Sequence, residues 1–102
     1  MDHLTASTGF AAVGSAPRLQ VLLLLVRSGP QGLTVGDIQA STKIPASTLA
    51  HHLKVLTEGG VIKQQKKGTA VWTFADFDQL EALGKFLLAE CCMDVSEGQE
   101  ND

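Results

Sequence analysis

The stretch Pro45-Ala46-Ser47-Thr48-Leu49-Ala50-His51-His52-Leu53-Lys54-Val55-Leu56 decides the fold. At about 100° per residue, Leu49, Leu53 and Leu56 gather within one third of a helical circumference and must face a core. Ser47, His51 and Lys54 fall on the opposite side, with Thr48 and Ala50 at the margins. Pro45 suits a first helical turn, where its missing N–H has no partner to lose, and Gly59-Gly60 is a stop. No acid occurs from Pro45 through Thr57, which is unusual for a helix face that only has to be solvated. Small hydroxyls permit close approach, while an imidazole and a lysine reach base edges and phosphates, so this outward face fits a DNA major groove. Ser47, Thr48, His51 and Lys54 are therefore candidate DNA contacts.

The adjacent histidines do not make a metal site. Neighbours on a helix diverge by about 100°, so His51 and His52 cannot easily share one ion. No Cys, Asp or Glu stands one helical turn from either. His51 reads as a groove contact and His52 as a packing residue on the helix flank.

The punctuation on either side of this helix places it in a fold. Upstream, Leu4 to Val13 forms a weak amphipathic helix, and Ser15 caps a second helix that runs to about Ser28 with Pro17 in its first turn. The all-apolar run Val21 to Val26 predicts that this second helix lies at the centre of the core. After Gly29-Pro30-Gln31-Gly32, Thr34 caps a short helix to about Ser41, with Asp37 complementing the dipole in its first turn. Two short helices joined by a three- to four-residue turn around Lys43-Ile44 form a helix-turn-helix. Downstream, Val61 to Gln65 and Ala70 to Phe74 are strand-like runs around Lys66-Lys67-Gly68-Thr69, a β-hairpin with a basic tip. Asp76 to Cys92 is a final amphipathic helix. The expected order is α-α-α-α-β-β-α: mainly α with a small β-hairpin, a winged helix-turn-helix.

Charge distribution agrees with that reading. The 102 residues carry a net charge of −3, which matches an ordinary single globular domain. Five of the 11 acids lie from Glu90 to Asp102, where there is no base; residues 1–89 hold eight bases against six acids, net +2. Between Lys43 and Lys67, five lysines face Glu58 alone, so an acidic tail masks a basic segment. Lys66 and Lys67 at the hairpin tip are candidate phosphate contacts. The expected division is a DNA-binding and dimerisation domain over 1–92 and an acidic disordered tail over 93–102. The longest fully apolar run has six residues, against the roughly 20 that a membrane-spanning helix needs. Nothing in the first residues reads as an export signal, and the two cysteines are adjacent, so a reduced cytoplasmic protein is expected.

Several of these stretches resemble one family. Ala12-Val13-Gly14-Ser15-Ala16-Pro17-Arg18-Leu19-Gln20-Val21-Leu22 is similar to the ALADPTRLxIL motif of the ArsR/SmtB repressors. Pro45 to Leu56 resembles their recognition helix, SxSTxSxHLKxL, and Glu58-Gly59-Gly60-Val61-Ile62 with Lys67-Gly68 is similar to their helix stop and wing. The resemblance spans about residues 10–90. It implies a homodimeric transcriptional repressor that binds double-stranded operator DNA, is released by an effector, and dimerises through its first and last helices.

The last helix supports the dimer on its own periodicity. Phe77, Leu80, Gly84, Leu87 and Cys91 follow spacings of 3, 4, 3 and 4, a seam with a small residue at its middle, and Leu83 and Phe86 lie beside it. A helix apolar on two sides buries the second against a partner; burial wholly within one chain is the alternative.

The effector has fewer candidates. The soft-metal site that this family places on the first helix of the helix-turn-helix needs cysteines, and Thr34-Val35-Gly36-Asp37-Ile38 has none. The family's zinc site on the last helix needs histidine; Asp78 and Glu81 are present, but no histidine follows His52. Cys91-Cys92 remains, and it resembles the vicinal cysteines near the C-terminus with which some members bind trivalent arsenic or antimony. Soft thiolates favour such ions, and adjacent ligands close a chelate with little entropic cost. Two other readings of the same pair stay open: sensing of oxidants or reactive sulfur species, and no sensing at all. No obligatory cofactor is expected.

An enzyme is not expected, because the chain has no Gly-rich phosphate loop, no His-Glu-x-x-His and no orienting partner for a cysteine nucleophile. The competing reading from another class is a winged-helix module that binds protein and not DNA.

Overall fold

The computed structural model describes residues 1–96. Two helices open it. Helix α1 (His3–Val13) begins at Asp2, whose carboxylate accepts the Thr5 N–H at 2.7 Å, and α2 (Ala16–Arg27) begins at Ser15, whose hydroxyl oxygen accepts the Arg18 N–H at 3.3 Å. The Arg18 guanidinium donates to the carbonyls of Ala11 and Ala12, so a cation closes the C-terminal end of α1.

Strand β1 (Leu33–Thr34) leads directly into α3 (Val35–Thr42). Thr34 and Asp37 form a reciprocal capping box there. Lys43 ends α3 in the left-handed conformation (φ 62°), and Ile44 and Pro45 swing the chain into α4 (Ala46–Glu58). The hairpin follows as β2 (Ile62–Lys67) and β3 (Ala70–Ala75), and the described fold closes with α5 (Phe77–Leu88), capped by Asp76.

The sheet is antiparallel with order β1-β3-β2. Gln64 pairs with Thr73, Lys66 with Val71 and Lys67 with Ala70, which leaves Gly68-Thr69 as a two-residue turn. Leu33 and Thr34 pair with Thr73 and Trp72 on the other side of β3. That pairing requires Gly32. Its φ is 77°, and a Cβ there would stand 2.0 Å from the Thr73 carbonyl oxygen.

The core lies between the helices and one face of the sheet. Val21, Leu25, Ile38, Leu49, Leu56, Val61 and Ile62 are all at most 1% exposed, and Leu83 is the one buried residue of α5. Thr73, also fully buried, accepts a hydrogen bond at its hydroxyl from the Gln64 amide, which satisfies a polar group within the sheet.

The structure differs from the sequence expectations in four places. The Val21–Val26 run is not buried all round, since Leu23 is 46% exposed and only Val21, Leu22 and Leu25 are buried. In a two-layer domain the outer side of α2 has nothing above it. The sheet has a third strand, β1, too short to show a periodicity of its own. The hairpin strands run further than expected, so Lys66 and Lys67 lie within β2 and only Gly68-Thr69 turn. Finally, α5 stops at Leu88, four residues before Cys92, and turns occupy residues 89–94. Glu90 and Asp94 would sit at the negative end of a longer helix dipole, which does not favour extending it. Of the tail expected over 93–102, residues 97–102 lie outside the described residues.

Candidate nucleic-acid interface

Helix α4 sets the interface because its buried and exposed sides separate cleanly. Leu49, Leu53 and Leu56 are 0–4% exposed and pack inward, and Ser47, Thr48, Ala50, His51 and Lys54 are exposed. The helix rests on α1, α2 and β2, so its outward side faces solvent.

His52 belongs to the packed side. It is 9% exposed, and its Nδ1 has no hydrogen-bond partner. Burial holds its pKa below the ordinary histidine value, and the Arg18 guanidinium and the His51 imidazole push it the same way. A neutral ring in that position anchors α4 without adding charge to the core. The two imidazoles stand 6.1 Å apart between centroids, and among the described residues no group of three or more His, Cys, Asp or Glu could hold a metal ion.

The hairpin supplies the second cationic element. Lys66 and Lys67 are exposed, and the pleat of β2 sends them to opposite faces of the sheet. The Lys67 ammonium lies 5.8 Å from the centroid of the Trp72 ring. Lys63, two turns of the pleat back, pairs with Asp76 at 3.6 Å. A groove of about 390 Å³ separates α4 from β2, lined by Val35, Ala50, Lys54, Thr57 and Gln64 among others. Helix and hairpin thus flank one concave surface that carries Lys54 on one wall, with Lys66 beyond the other and Lys67 on the opposite face of the hairpin.

Helix α5 presents an apolar face that nothing among the described residues covers. Phe77 and Leu87 are 38% and 64% exposed, Gly84 is exposed with nothing within 4 Å of where a Cβ would project, and Leu80 is half-buried. Leu88, one turn beyond Gly84, is 69% exposed, and Leu4 on α1 is 75% exposed; sequence periodicity did not single out either residue. His3 of α1 packs edge-on against Phe86 with centroids 5.3 Å apart, so α1 and α5 meet beside the seam. Cys91 stands in the turns beyond the helix and not on its seam.

Those turns bring the thiols together. The Cys91 N–H donates to the Leu88 carbonyl at 2.9 Å, Cys92 adopts φ 64°, and the two Sγ atoms stand 3.3 Å apart, both exposed and free.

Residues 14–65, which span α2, α3, α4 and the start of the hairpin, match a family model described as a helix-turn-helix domain. The chain is 38% identical over 65 residues to an uncharacterised HTH-type transcriptional regulator of Methanocaldococcus jannaschii, covering 64% of this chain and 68% of that protein. It is 28% identical over 90 residues to the arsenical resistance operon repressor of Bacillus subtilis, covering 88% and 82%. The chain belongs to the ArsR family of winged helix-turn-helix transcription regulators.

The family fold is also found in a solved structure. A homodimeric winged helix-turn-helix DNA-binding domain from Mycobacterium bovis, described as a possible ArsR-family regulator, superposes with a TM-score of 0.66 at 24% identity, covering 85% of this chain and 81% of that one. The fold of this chain is accordingly a winged helix-turn-helix, with α3-α4 as its helix-turn-helix and β2-β3 as its wing. Among the described residues no single helix is long and apolar enough to cross a membrane.

Proposed function

We propose that this ArsR-family chain is a homodimeric repressor that reads an operator through α4 and releases it when a thiophilic effector binds Cys91 and Cys92. Ser47, Thr48, His51 and Lys54 contact base edges and phosphates in the major groove, and Lys66 and Lys67 grip the backbone from the wing. Phe77, Leu80, Gly84 and Leu87 form the dimer seam with the partner's equivalents. The favoured effector is trivalent arsenic or antimony.

The approach of the two thiols carries the effector assignment. Sγ atoms 3.3 Å apart on an exposed turn need little movement to close on one soft ion. A trivalent metalloid takes three sulfurs and the chain has two cysteines, so the third comes from a small thiol or from the partner subunit. The likeness to an arsenical resistance operon repressor supports the same effector class. The turns that hold the thiols grow directly out of α5, so recruiting a third sulfur to the bound ion displaces the end of the helix that builds the seam. The two reading helices must span half-sites about one turn of DNA apart, so a small change at the seam prevents simultaneous docking. A 100-fold loss of affinity requires about 2.7 kcal/mol of differential binding between the two dimer states.

The same sulfur separation favours a second reading, in which the pair is oxidised or carries reactive sulfur. Titration of the complex between the protein and duplex DNA from upstream of its own gene separates the two. Arsenite is expected to release wild-type protein and to leave Cys91→Ser and Cys92→Ser bound. Release by peroxide or persulfide with no response to arsenite, or arsenite release from the Cys91→Ser/Cys92→Ser double mutant, would remove the metalloid reading and leave the redox one.

A further inference from the structure

We propose that Trp72 is the positioning residue of the wing, its indole holding the Lys67 ammonium where the hairpin meets the sugar–phosphate backbone of duplex DNA. The inference rests on the DNA-binding reading above and assigns a role to a residue outside the expected contact set.

The sheet register explains why these two side chains meet. Trp72 pairs with Gln65, and Lys67 lies two residues further along β2, so Lys67 and Trp72 are diagonal neighbours on one face. Lys67 itself faces Ala70 across the ladder, and the Gly68-Thr69 turn follows immediately, so no further cross-strand pair lies beyond it. The ring is half-buried, which fixes the indole, and the ammonium stands 5.8 Å from its centroid. Lys66 pairs with Val71 on the opposite face and has no aromatic ring beneath it.

What matters is how the ring restrains the charge. Among the described residues, Lys63 is held by a carboxylate, that of Asp76, whereas Lys67 pairs with no acid. An ion pair fixes a lysine but cancels its charge toward a phosphate. An aromatic face fixes the ammonium through its quadrupole and leaves the full positive charge available. A free lysine has four rotatable bonds to immobilise when it meets DNA, and an ammonium already resting on a ring has lost part of that freedom. Trp72 therefore pre-organises a phosphate contact that carries no sequence information, and its effect should be the same on any duplex. It is the chain's one tryptophan, and it sits in the middle strand between Thr34 of β1 and Gln65 of β2, which holds the indole in place beside Lys67.

A double-mutant cycle on a mixed-sequence 30-base-pair duplex tests this without knowledge of the operator. Binding is measured by fluorescence anisotropy across a salt series for wild type, Trp72→Leu, Trp72→Tyr, Lys67→Ala and the Trp72→Leu/Lys67→Ala pair. Lys67→Ala should make the salt slope shallower by about one unit. Trp72→Leu should weaken binding about two- to fivefold, Trp72→Tyr should restore most of the loss, and Trp72→Leu should add nothing in the Lys67→Ala background. Circular dichroism melting of each variant identifies any that fails to fold, and the Tyr variant keeps the cycle interpretable if Leu does. Equal weakening by Trp72→Leu with and without Lys67 would overturn the positioning role while leaving DNA binding intact. Wild-type protein that binds the duplex with no salt dependence would instead overturn the DNA-binding reading on which the proposal rests.

Discussion

Gly84→Arg separates the fold of one protomer from the assembly of two. Gly84 sits in the interior of α5, and a Cβ built there meets no atom within 4 Å, so a protomer accommodates any side chain at that position. Helix propensity favours the change: Gly costs about 0.8–1.0 kcal/mol relative to Ala in a helix interior, and Arg is among the best helix formers. The isolated protomer should therefore be as stable as wild type or slightly more so. In the proposed dimer the same position lies midway along the apolar seam of Phe77, Leu80 and Leu87, where the two helices approach most closely. A guanidinium there is desolvated with no acid on the seam to pair with it, which costs about 3–5 kcal/mol. Each 1.4 kcal/mol is about tenfold in affinity, so the dimer should weaken by roughly 150-fold or more. Light scattering after size-exclusion chromatography reads the mass, 10.8 kDa for one chain, over a concentration series. The expected result is a folded monomer whose melting temperature, unlike that of the dimeric wild type, does not depend on protein concentration. A variant that still runs at twice that mass would refute the seam. A variant that unfolds would refute the claim that this face of α5 is free in the protomer.

Three further outcomes follow from other parts of the structure. His51→Ala should cost about 1–3 kcal/mol of specific DNA binding and relax sequence preference, as a lost base contact does, and anisotropy that shows specific binding intact would reassign the faces of α4. His52 is held neutral below the ordinary value near 6.5, so the unfolded chain binds its proton more readily; stability is full above that pH and falls as pH drops through it, by at most about 1.4 kcal/mol per unit for one proton. Urea unfolding between pH 5 and 8 should show a shallower fall for His52→Leu than for wild type, and parallel profiles would remove His52 as the source. Gly32→Ala should destabilise the fold by at least about 2 kcal/mol, because φ 77° and the close approach to the Thr73 carbonyl both require glycine, and a melting temperature within a degree of wild type would contradict the β1–β3 pairing.

The helices were legible because each has its own punctuation. Ser15, Thr34, Pro45 and Asp76 all stand at the helix starts that the sequence predicts, and Leu49, Leu53 and Leu56 separate buried from exposed sides at helical spacing. The hairpin was legible in outline, but its register was not, since Lys66-Lys67-Gly68-Thr69 allows either a four-residue or a two-residue turn; only the pairing of Lys67 with Ala70 chooses. With that choice made, the diagonal contact between Lys67 and Trp72 follows. Strand β1 escaped because two residues show no alternation, and its pairing depends on Gly32 meeting β3 far along the chain. The end of α5 escaped because the 3-4-3-4 spacing continues through Cys91 while the backbone does not. Apolar periodicity reports which residues share a face if a helix persists, and Glu90 and Asp94 at the dipole's negative end oppose that persistence.

Helix α1 makes the two ends of the molecule mechanically one piece. Leu83 is the single buried side chain of α5, and its two methyl groups stand 3.1 and 3.3 Å from where a Cβ of Gly9 on α1 would project. The same point on Gly9 is 3.4 Å from the carbonyl oxygen of Gly59, the C-cap of α4. A Cβ on Gly59 would in turn stand 2.4 Å from the Ala12 Cβ, so α1 and the end of α4 are in contact with no side chain interposed. Close-packed interiors have few voids and transmit displacement, and a junction built from Gly9, Ala12 and Gly59 has no flexible side chain to absorb one. A tilt of α5 that moves Leu83 therefore presses on α1 at the residue where α1 meets the end of the reading helix. In the proposed function, where the thiols beyond α5 control docking through α4, the coupling would run through this backbone packing and not through a chain of polar contacts.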